Sequence, residues 1–518
     1  MSEQQRTIGA VTYREADEAY FQQRKLRRHA GIWGLWALGV GAVISGDFSG
    51  WNLGLAAGGF GGLLVATLII TVMYFGLCWS IAEMSPAQPH TGGAYSFGRS
   101  AMGPWGGFGT GVAETIEYVV TPATIISFAA IYLDSIADSW FGASMALWLW
   151  WLILYVIFVG LNIVGVEASF RFTVFICLLA LGTLAVFYVA ALFSGDLAWA
   201  NLTNIVPEGD NSKWFPFGGV EGVFLALPFA IWFYLAIEEL PLAAEESADP
   251  KRDIPKGTIY GLITLIITGF LVLFLNTGVT GADEIQGSGE PLLDGFRVIF
   301  GESENISNIL GLCAVAGIIA SFHTIIYAYG RNIFSLSRAG YYPHWLSLTH
   351  GKRQTPYVAL IAGAVVGYGL MHLIDQAGKN GWLGGNLSAA LLSMAVAGAV
   401  VSYFLQTVSF IQLRRKLPNI ERPYRSPVGT WGAGIAAVIA LISLAACFWR
   451  DDYRPGVVGV AVFYLLALAY FGLRGRHQLI LSPEEEFALT RGVHGHPETE
   501  GYGTTHVADI PSDTGESA

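Results

Sequence analysis

Acidic side chains lie in the middle of apolar stretches, where they are costly to bury. Asp47 interrupts the first such stretch, Glu114 and Glu117 lie in a second, and Glu238 lies in a third. An acid at the centre of a membrane costs roughly 2.5 to 3.5 kcal/mol on insertion scales, so it indicates a function. A carboxylate there can attract an ammonium group or carry a proton, and these acids are the first candidates for binding or coupling.

Helix-breaking residues surround two of these acids. Residues 39–50 contain four glycines besides Asp47, and residues 228–241 place Glu238 between two prolines. Backbone groups released from a helix inside a membrane must face protein or a cavity. The pattern predicts two broken helices with a substrate held between their freed ends, although glycine-rich helices can also be merely close-packed.

The composition indicates a membrane protein. The chain has 518 residues, of which 53% are hydrophobic and 13% charged, whereas soluble chains carry roughly a quarter charged residues. Its net charge of −11 argues against nucleic acid as a partner, because phosphate binding needs clustered Lys and Arg. Runs of about 20 apolar residues predict twelve spans in the lipid bilayer, at 31–58, 62–84, 105–133, 144–165, 172–194, 217–245, 257–279, 305–334, 356–375, 386–411, 432–449 and 456–473.

The distribution of basic residues predicts the orientation. With both termini inside, 23 of the 28 Lys and Arg lie on the cytoplasmic side of the plasma (inner) membrane. The predicted organisation is a cytoplasmic segment (1–30), a ten-helix transport core (31–413), a loop with helices 11 and 12 (414–475), and a cytoplasmic tail (476–518). We expect the tail to be disordered, because it is acidic and has few large apolar residues.

Four stretches resemble one known family, the amino acid, polyamine and organocation (APC) transporters. The matching residues are 82–108, 245–255, 330–343 and 413–424. The resemblance implies an all-α membrane protein with a leucine-transporter-like 5+5 inverted repeat, in which helices 1 and 6 are broken. It also implies a secondary transporter without cofactor or metal. An enzyme is not expected, since the sequence shows no clustered nucleophile, metal set or cofactor loop.

Within this family, residues 44–52 are most similar to the ethanolamine permeases. Ser45, Gly46 and Asp47 stand where amino acid carriers usually have a glycine-small-glycine motif whose amides receive the substrate carboxylate. Asp47 would repel a carboxylate and attract an ammonium group, by about 4 kcal/mol at 4 Å and an effective dielectric near 20, much of it offset by desolvation. The alternative is that Asp47 only caps the second half of the helix.

The broken part of span 6 supplies further candidates. Trp232, Phe233 and Tyr234 can enclose an ammonium ion with their aromatic faces, or they can be ordinary packing residues. The resemblance assigns Trp232 to the family's gating aromatic, and it places Glu238 at a position that is often acidic in antiporter relatives. The alternative for Glu238 is solvation at the cavity wall.

Spans 3 and 8 also contain polar candidates. Glu114 and Glu117 are three residues apart and share a helix face with Tyr118, either to contact substrate or as structural partners. His323 is a candidate proton relay or a hydrogen-bonded packing residue.

The predicted function is import of ethanolamine or a similar small organic cation by alternating access. A proton is the candidate coupling ion, with Asp47, Glu238 or His323 as carriers, and sodium or exchange stay open. The alternatives are an amino acid or polyamine permease or exchanger of the same family and, from a different class, a channel or a membrane sensor.

Overall fold

The computed structural model describes residues 5–14, 16, 18–24, 26, 30–301, 304–382 and 386–494. Within these residues, ten helices are long and apolar enough to cross a membrane. Predicted spans 1 and 6 contribute the shorter apolar helices Ile32–Phe48 and Gly219–Ile231. The all-helical membrane fold is confirmed, and ten long helices with two broken spans are consistent with the twelve predicted.

The helices follow the predicted spans closely, and those of spans 3 and 8 extend beyond the apolar run. In chain order the spans are span 1, Ile32–Val43 and Ser45–Phe48; span 2, Leu53–Ala87; span 3, Gly93–Phe141; span 4, Leu147–Val164; span 5, Val166–Phe193; span 6, Gly219–Ile231 and the 3-10 helix Ile237–Glu246; span 7, Pro250–Thr280; span 8, Glu304–Arg338; span 9, Tyr357–Lys379; span 10, Leu387–Lys416; span 11, Gly429–Trp449; and span 12, Arg454–Leu473. Short helices are Glu18–Gln22, Trp199–Thr203, Ala282–Ile285, Pro291–Phe300, His344–Ser347, Gly475–His477 and Pro483–Leu489.

One glycine separates the end of span 1 from span 2. Gly59 has φ 66°, in the left-handed region that favours glycine, and it bends the helix Leu53–Ala87. Residues 53–58 therefore complete span 1 after its break, and span 2 starts beyond the bend.

The two broken spans run in opposite directions and pack reciprocally. A Cβ atom at Gly39, in the first half of span 1, would lie 2.9 Å from Ile237 in the second half of span 6. A Cβ atom at Gly54, in the second half of span 1, would lie 3.0 Å from Phe229 in the first half of span 6. This exchange of halves between spans five apart is the arrangement expected of the 5+5 inverted repeat.

The first and last described segments of the chain meet on one side of the bundle, which we call the terminal face. Strands β1 (Gln5–Ile8) and β2 (Val11–Arg14) form an antiparallel hairpin. Strand β3 (Leu479–Ile480) pairs in parallel with β2, with Tyr13 opposite Leu479. Span 1 begins at this face, where the backbone of Ala30 bonds to Glu246 and Ala248.

The prediction of a disordered tail is wrong for its first part. Residues 476–494 lie on the terminal face and include β3 and the helix Pro483–Leu489, in which Glu484 and Glu485 are fully buried. The prediction failed because it considered only composition. Glu484 and Glu485 form ion pairs with arginines of the membrane helices, and these pairs hold the segment in place although it has few large apolar side chains. Residues 495–518 lie outside the described residues.

Candidate substrate site

The helix of span 1 is opened by a hydroxyl group from span 8 before it ends. The Ser45 N–H donates to Ser321 Oγ (2.8 Å), and Ser321 Oγ donates to the Gly41 carbonyl (2.7 Å). The Ser321 hydroxyl therefore replaces the backbone hydrogen bond between Ser45 and Gly41. The helix continues to Phe48 and then breaks at Ser49, which is extended, and Gly50, which has φ 92°. The predicted break is confirmed, and it lies just beyond Asp47.

The break in span 6 covers five residues. The α-helix ends at Ile231, and Ala236 has φ 84°, an unfavourable conformation for a residue with a Cβ atom. The chain then continues as a 3-10 helix from Ile237 to Glu246. Trp232, Phe233 and Tyr234 are thus held in the non-helical part, as predicted.

The two breaks contact each other directly. Trp232 Nε1 donates to the Ser49 carbonyl (2.9 Å), and the Phe233 and Trp51 rings stack with centroids 5.9 Å apart. A Cβ atom at Gly46 would lie 2.5 Å from the Trp232 carbonyl oxygen, so only glycine fits there without a shift of backbone. The predicted residues of spans 1 and 6 are brought together.

Asp47 is buried, and within the described residues no basic side chain pairs with its carboxylate. Its side chain is 1% exposed, and neither carboxylate oxygen has a hydrogen-bond partner within the described residues. It faces span 7, where a Cβ atom at Gly269 would lie 3.6 Å from Oδ1, and it is close enough to Tyr188 and Tyr234 to interact with them electrostatically. The Thr268 hydroxyl donates to the Leu265 carbonyl (3.3 Å) and also lies near the Asp47 carboxylate. Asp47 therefore does not cap the helix.

A second group of acids lies where spans 3 and 6 meet. We call Glu114, Glu117, Glu238 and Glu239 the carboxylate cluster; each is at most 2% exposed. Tyr118 donates to Glu114 (3.3 Å), and Tyr403 of span 10 donates to Glu117 (3.0 Å).

Within the cluster, one contact joins two acids. The side chains of Glu117 and Glu238 lie close enough to interact directly. Because two carboxylates can form a hydrogen bond only by sharing a proton, this contact is suited to hold one. The Tyr403 hydroxyl also lies near Glu238.

Aromatic side chains separate Asp47 from the carboxylate cluster. Tyr234, which neighbours Asp47, packs against Tyr74 with ring centroids 5.3 Å apart, and Tyr74 packs against Tyr403 at 5.6 Å. The Tyr74 hydroxyl donates to the Tyr403 hydroxyl (3.1 Å), and Thr71 bonds to the Tyr234 hydroxyl (2.9 Å). The predicted acids thus form two positions, Asp47 and the carboxylate cluster, and the side chains of Tyr234, Tyr74 and Tyr403 lie between them.

His323 is not brought to either position. Its Nδ1 lies 3.0 Å from the Asn162 amide nitrogen, and its Nε2 lies 2.9 Å from Ser169 Oγ. Phe158 and Phe172 contact its ring edge-on. Both ring nitrogens are used between spans 4, 5 and 8, an arrangement suited to packing.

A cavity of about 840 Å³ lies elsewhere, between spans 3, 9, 10 and 12. Its lining is almost wholly apolar, with Val112, Val119, Phe463 and Trp382 among its residues, and it includes none of the predicted site residues. Its volume therefore says nothing about the substrate of the acidic positions.

Comparison with known proteins assigns the family. The model of the family described as "Amino acid permease" matches residues 34–481, most of the chain. The chain belongs to the amino acid permease family. This agrees with the predicted APC superfamily and with a transporter, not an enzyme, as the class of protein.

The permease is similar along nearly its whole length to curated bacterial relatives. It is 26% identical to the uncharacterized transporter R00093 of Rhizobium meliloti, covering 87% of this chain and 92% of the relative. It is 25% identical to the branched-chain amino acid permease BcaP of Bacillus subtilis, with 86% and 94% covered. It is also 25% identical to the methylthioribose transporter of Bacillus subtilis, with 90% and 97% covered.

Several polar residues of the permease site were missed from the sequence. Tyr403 donates to Glu117, Tyr74 donates to Tyr403, and Ser321 opens span 1. A search for acids and helix breakers does not select tyrosine or serine, which are common in membrane helices. A tyrosine in the middle of a span, away from the interface, is the signal that would have found the first two.

Proposed function

We propose that this permease carries ethanolamine or a similar small ammonium-bearing solute by alternating access. The observation that supports this most is the Asp47 carboxylate, which is buried, forms no ion pair and accepts no hydrogen bond within the described residues. Burying an unpaired charge costs several kcal/mol. A bound ammonium group would offset that cost, whereas the carboxylate of an amino acid would be repelled.

The surroundings of Asp47 are suited to a cation. Trp51, Phe233 and Tyr234 offer aromatic faces beside the breaks, and a cation over such a face gains about 0.5 to 2 kcal/mol. The relatives support more than one substrate class. One is named for branched-chain amino acids and another for methylthioribose, which has no carboxylate.

The carboxylate cluster favours a second candidate, a polyamine. A diamine such as putrescine has two ammonium groups, and the site has two acidic positions, Asp47 and the cluster around Glu238. The family name makes an amino acid the further alternative. Competition by putrescine, arginine and alanine against labelled ethanolamine separates these three substrates.

We infer that the coupling ion is a proton held between Glu117 and Glu238. The two side chains contact each other in a buried region where the donors to Glu117 and Glu114 are tyrosines. We also propose that the terminal face is cytoplasmic, on the evidence of the basic residues, and that the membrane is the plasma membrane. A tag at the C-terminus should then be accessible to an impermeant reagent only in inside-out vesicles.

The test is uptake of labelled ethanolamine by purified protein in liposomes, with and without an imposed pH gradient. Asp47→Asn should reduce uptake by at least about a hundredfold, because an amide lacks the charge that holds the ammonium group. Asp210→Asn is the matched control, since Asp210 is exposed on a loop, and it should transport like the wild type. Wild-type rates in folded Asp47→Asn protein would refute the substrate role.

A further inference from the structure

We propose that residues 479–489 form an intramolecular plug: an acidic peptide that binds a basic pocket on the terminal face and closes the path from the substrate site to that face. The inference rests on the proposed transport function, but its test does not need the substrate. The plug comprises β3 and the helix Pro483–Leu489. Its helix lies beyond residue 481, where the match to the family model ends.

Two glutamates anchor the plug. Glu485 accepts from Arg99 (2.6 Å), Tyr95 (2.8 Å), Tyr341 (2.9 Å) and Tyr13 (2.7 Å). These donors come from span 3, from the residues after span 8 and from the N-terminal hairpin. Burial raises the pKa of the Tyr13 phenol, so its hydroxyl keeps the proton that it donates.

The other anchor, Glu484, ties the plug to span 6. It accepts from Ser335 Oγ (3.0 Å) and Arg338 (2.6 Å), both near the end of span 8. Arg338 also binds Glu245 (2.6 Å), at the end of the 3-10 half of span 6. One arginine therefore links the tail, span 8 and the second half of span 6.

A second observation indicates what the plug covers. Buried side-chain atoms without a hydrogen-bond partner within the described residues occur around these contacts, at Gln88, Thr91, Ser247 and Asn332. The Thr91 backbone N–H binds Glu245, and Ser247 and Asn332 directly follow Glu246 and Arg331, which pair at 2.8 Å. Buried polar atoms are usually satisfied by protein or water. Their concentration behind the plug is suited to an aqueous path that the plug closes.

The chemistry of the pocket makes it selective for an acidic segment. Without Glu485, the buried Arg99 would retain, among the described residues, only the Tyr13 hydroxyl as a partner of its guanidinium. A buried charge that loses its partner destabilises the bound state strongly. Neutralising both anchors should thus release the plug and leave the pocket open to water.

The test uses the full-length protein with Cys313→Ser, because Cys313 is the one partly exposed cysteine in the described residues. A cysteine at Ser247 reports on the path behind the plug. A cysteine at Thr277, buried near the opposite face, is the control position. Glu484→Gln with Glu485→Gln should raise maleimide labelling at position 247 by at least about tenfold, leave position 277 unchanged and increase uptake.

A peptide of residues 479–491 supplies the second measurement. Added to the double variant, it should restore protection at position 247, whereas the same peptide with both glutamines should not. Unchanged labelling at position 247, equal increases at both positions, or protection by both peptides would each overturn the plug. So would faster labelling without faster uptake, if the wild-type protein transports ethanolamine. If ethanolamine is not the substrate, wild-type uptake fails while the labelling result stands.

Discussion

Two groups of buried glutamates in this permease have opposite partners. All are at most 6% exposed; the carboxylate cluster consists of Glu114, Glu117, Glu238 and Glu239, and the group at the terminal face consists of Glu245, Glu246, Glu484 and Glu485. In the first group the donors are tyrosines, and in the second Arg99, Arg331 and Arg338 form ion pairs. Acids paired with arginine hold elements of the fold together, whereas acids without a cation remain available to a cationic solute or a proton.

Removing an arginine from the paired group should have the largest effect on stability. Arg338→Met leaves Glu245 and Glu484 buried without its guanidinium, and it should lower the free energy of unfolding by about 3 to 5 kcal/mol. Unfolding of purified protein in detergent measures this. Arg171→Met is the control, since its pair with Glu167 is exposed and should contribute less than about 1 kcal/mol. Equal losses in both variants would erase the distinction between the two kinds of pair.

Removing a tyrosine donor from the cluster should cost less. Tyr403→Phe deletes the hydroxyl that donates to Glu117, and the expected loss is about 1 to 2 kcal/mol, again measured by unfolding in detergent. Tyr464→Phe is the matched control, because the Tyr464 hydroxyl has no hydrogen-bond partner among the described residues. A loss near that of Arg338→Met would show that the cluster is a structural network instead of a binding position.

The smallest change in stability is expected when an acid of the cluster is neutralised. Glu117→Gln can still bond to Glu238 through its amide, so the free energy of unfolding should change by less than about 1 kcal/mol. Uptake should no longer respond to an imposed pH gradient. Glu246→Gln makes the same exchange at the terminal face, where it breaks the pair with Arg331 and should destabilise clearly. Similar stabilities for these two variants would contradict the proposed difference between the carboxylate cluster and the arginine-paired glutamates.

The sequence predicted the helices and both breaks because their signals are local. Apolar runs mark the spans, and glycine, proline and acids within a run mark the places where a helix fails. Within the predicted residues 39–50, the break falls at Ser49 and Gly50, just after Asp47. The sequence did not predict the earlier opening between Gly41 and Ser45, where the Ser321 hydroxyl replaces a backbone hydrogen bond. The position of Ser321 depends on packing between spans 1 and 8 that no local pattern records.

The contacts that organise the acids could not be predicted in this way. Tyr403 meets Glu117, and Glu485 meets Arg99, across hundreds of residues of chain. A run of three glutamates in a polar tail is typical of disorder unless its counter-charges are known. The sequence therefore identified the acids of the membrane interior as candidates but assigned the tail the wrong state.

The geometry of the second half of span 6 has a mechanical consequence. Its ten residues, Ile237–Glu246, form a 3-10 helix, which rises about 2.0 Å per residue where an α-helix rises about 1.5 Å. Rewinding this segment as an α-helix would shorten it by about 5 Å. A change of about 5 Å across Ile237–Glu246 is nearly the pitch of one α-helical turn. Local rewinding of this segment would thus draw its two ends together along the helix axis.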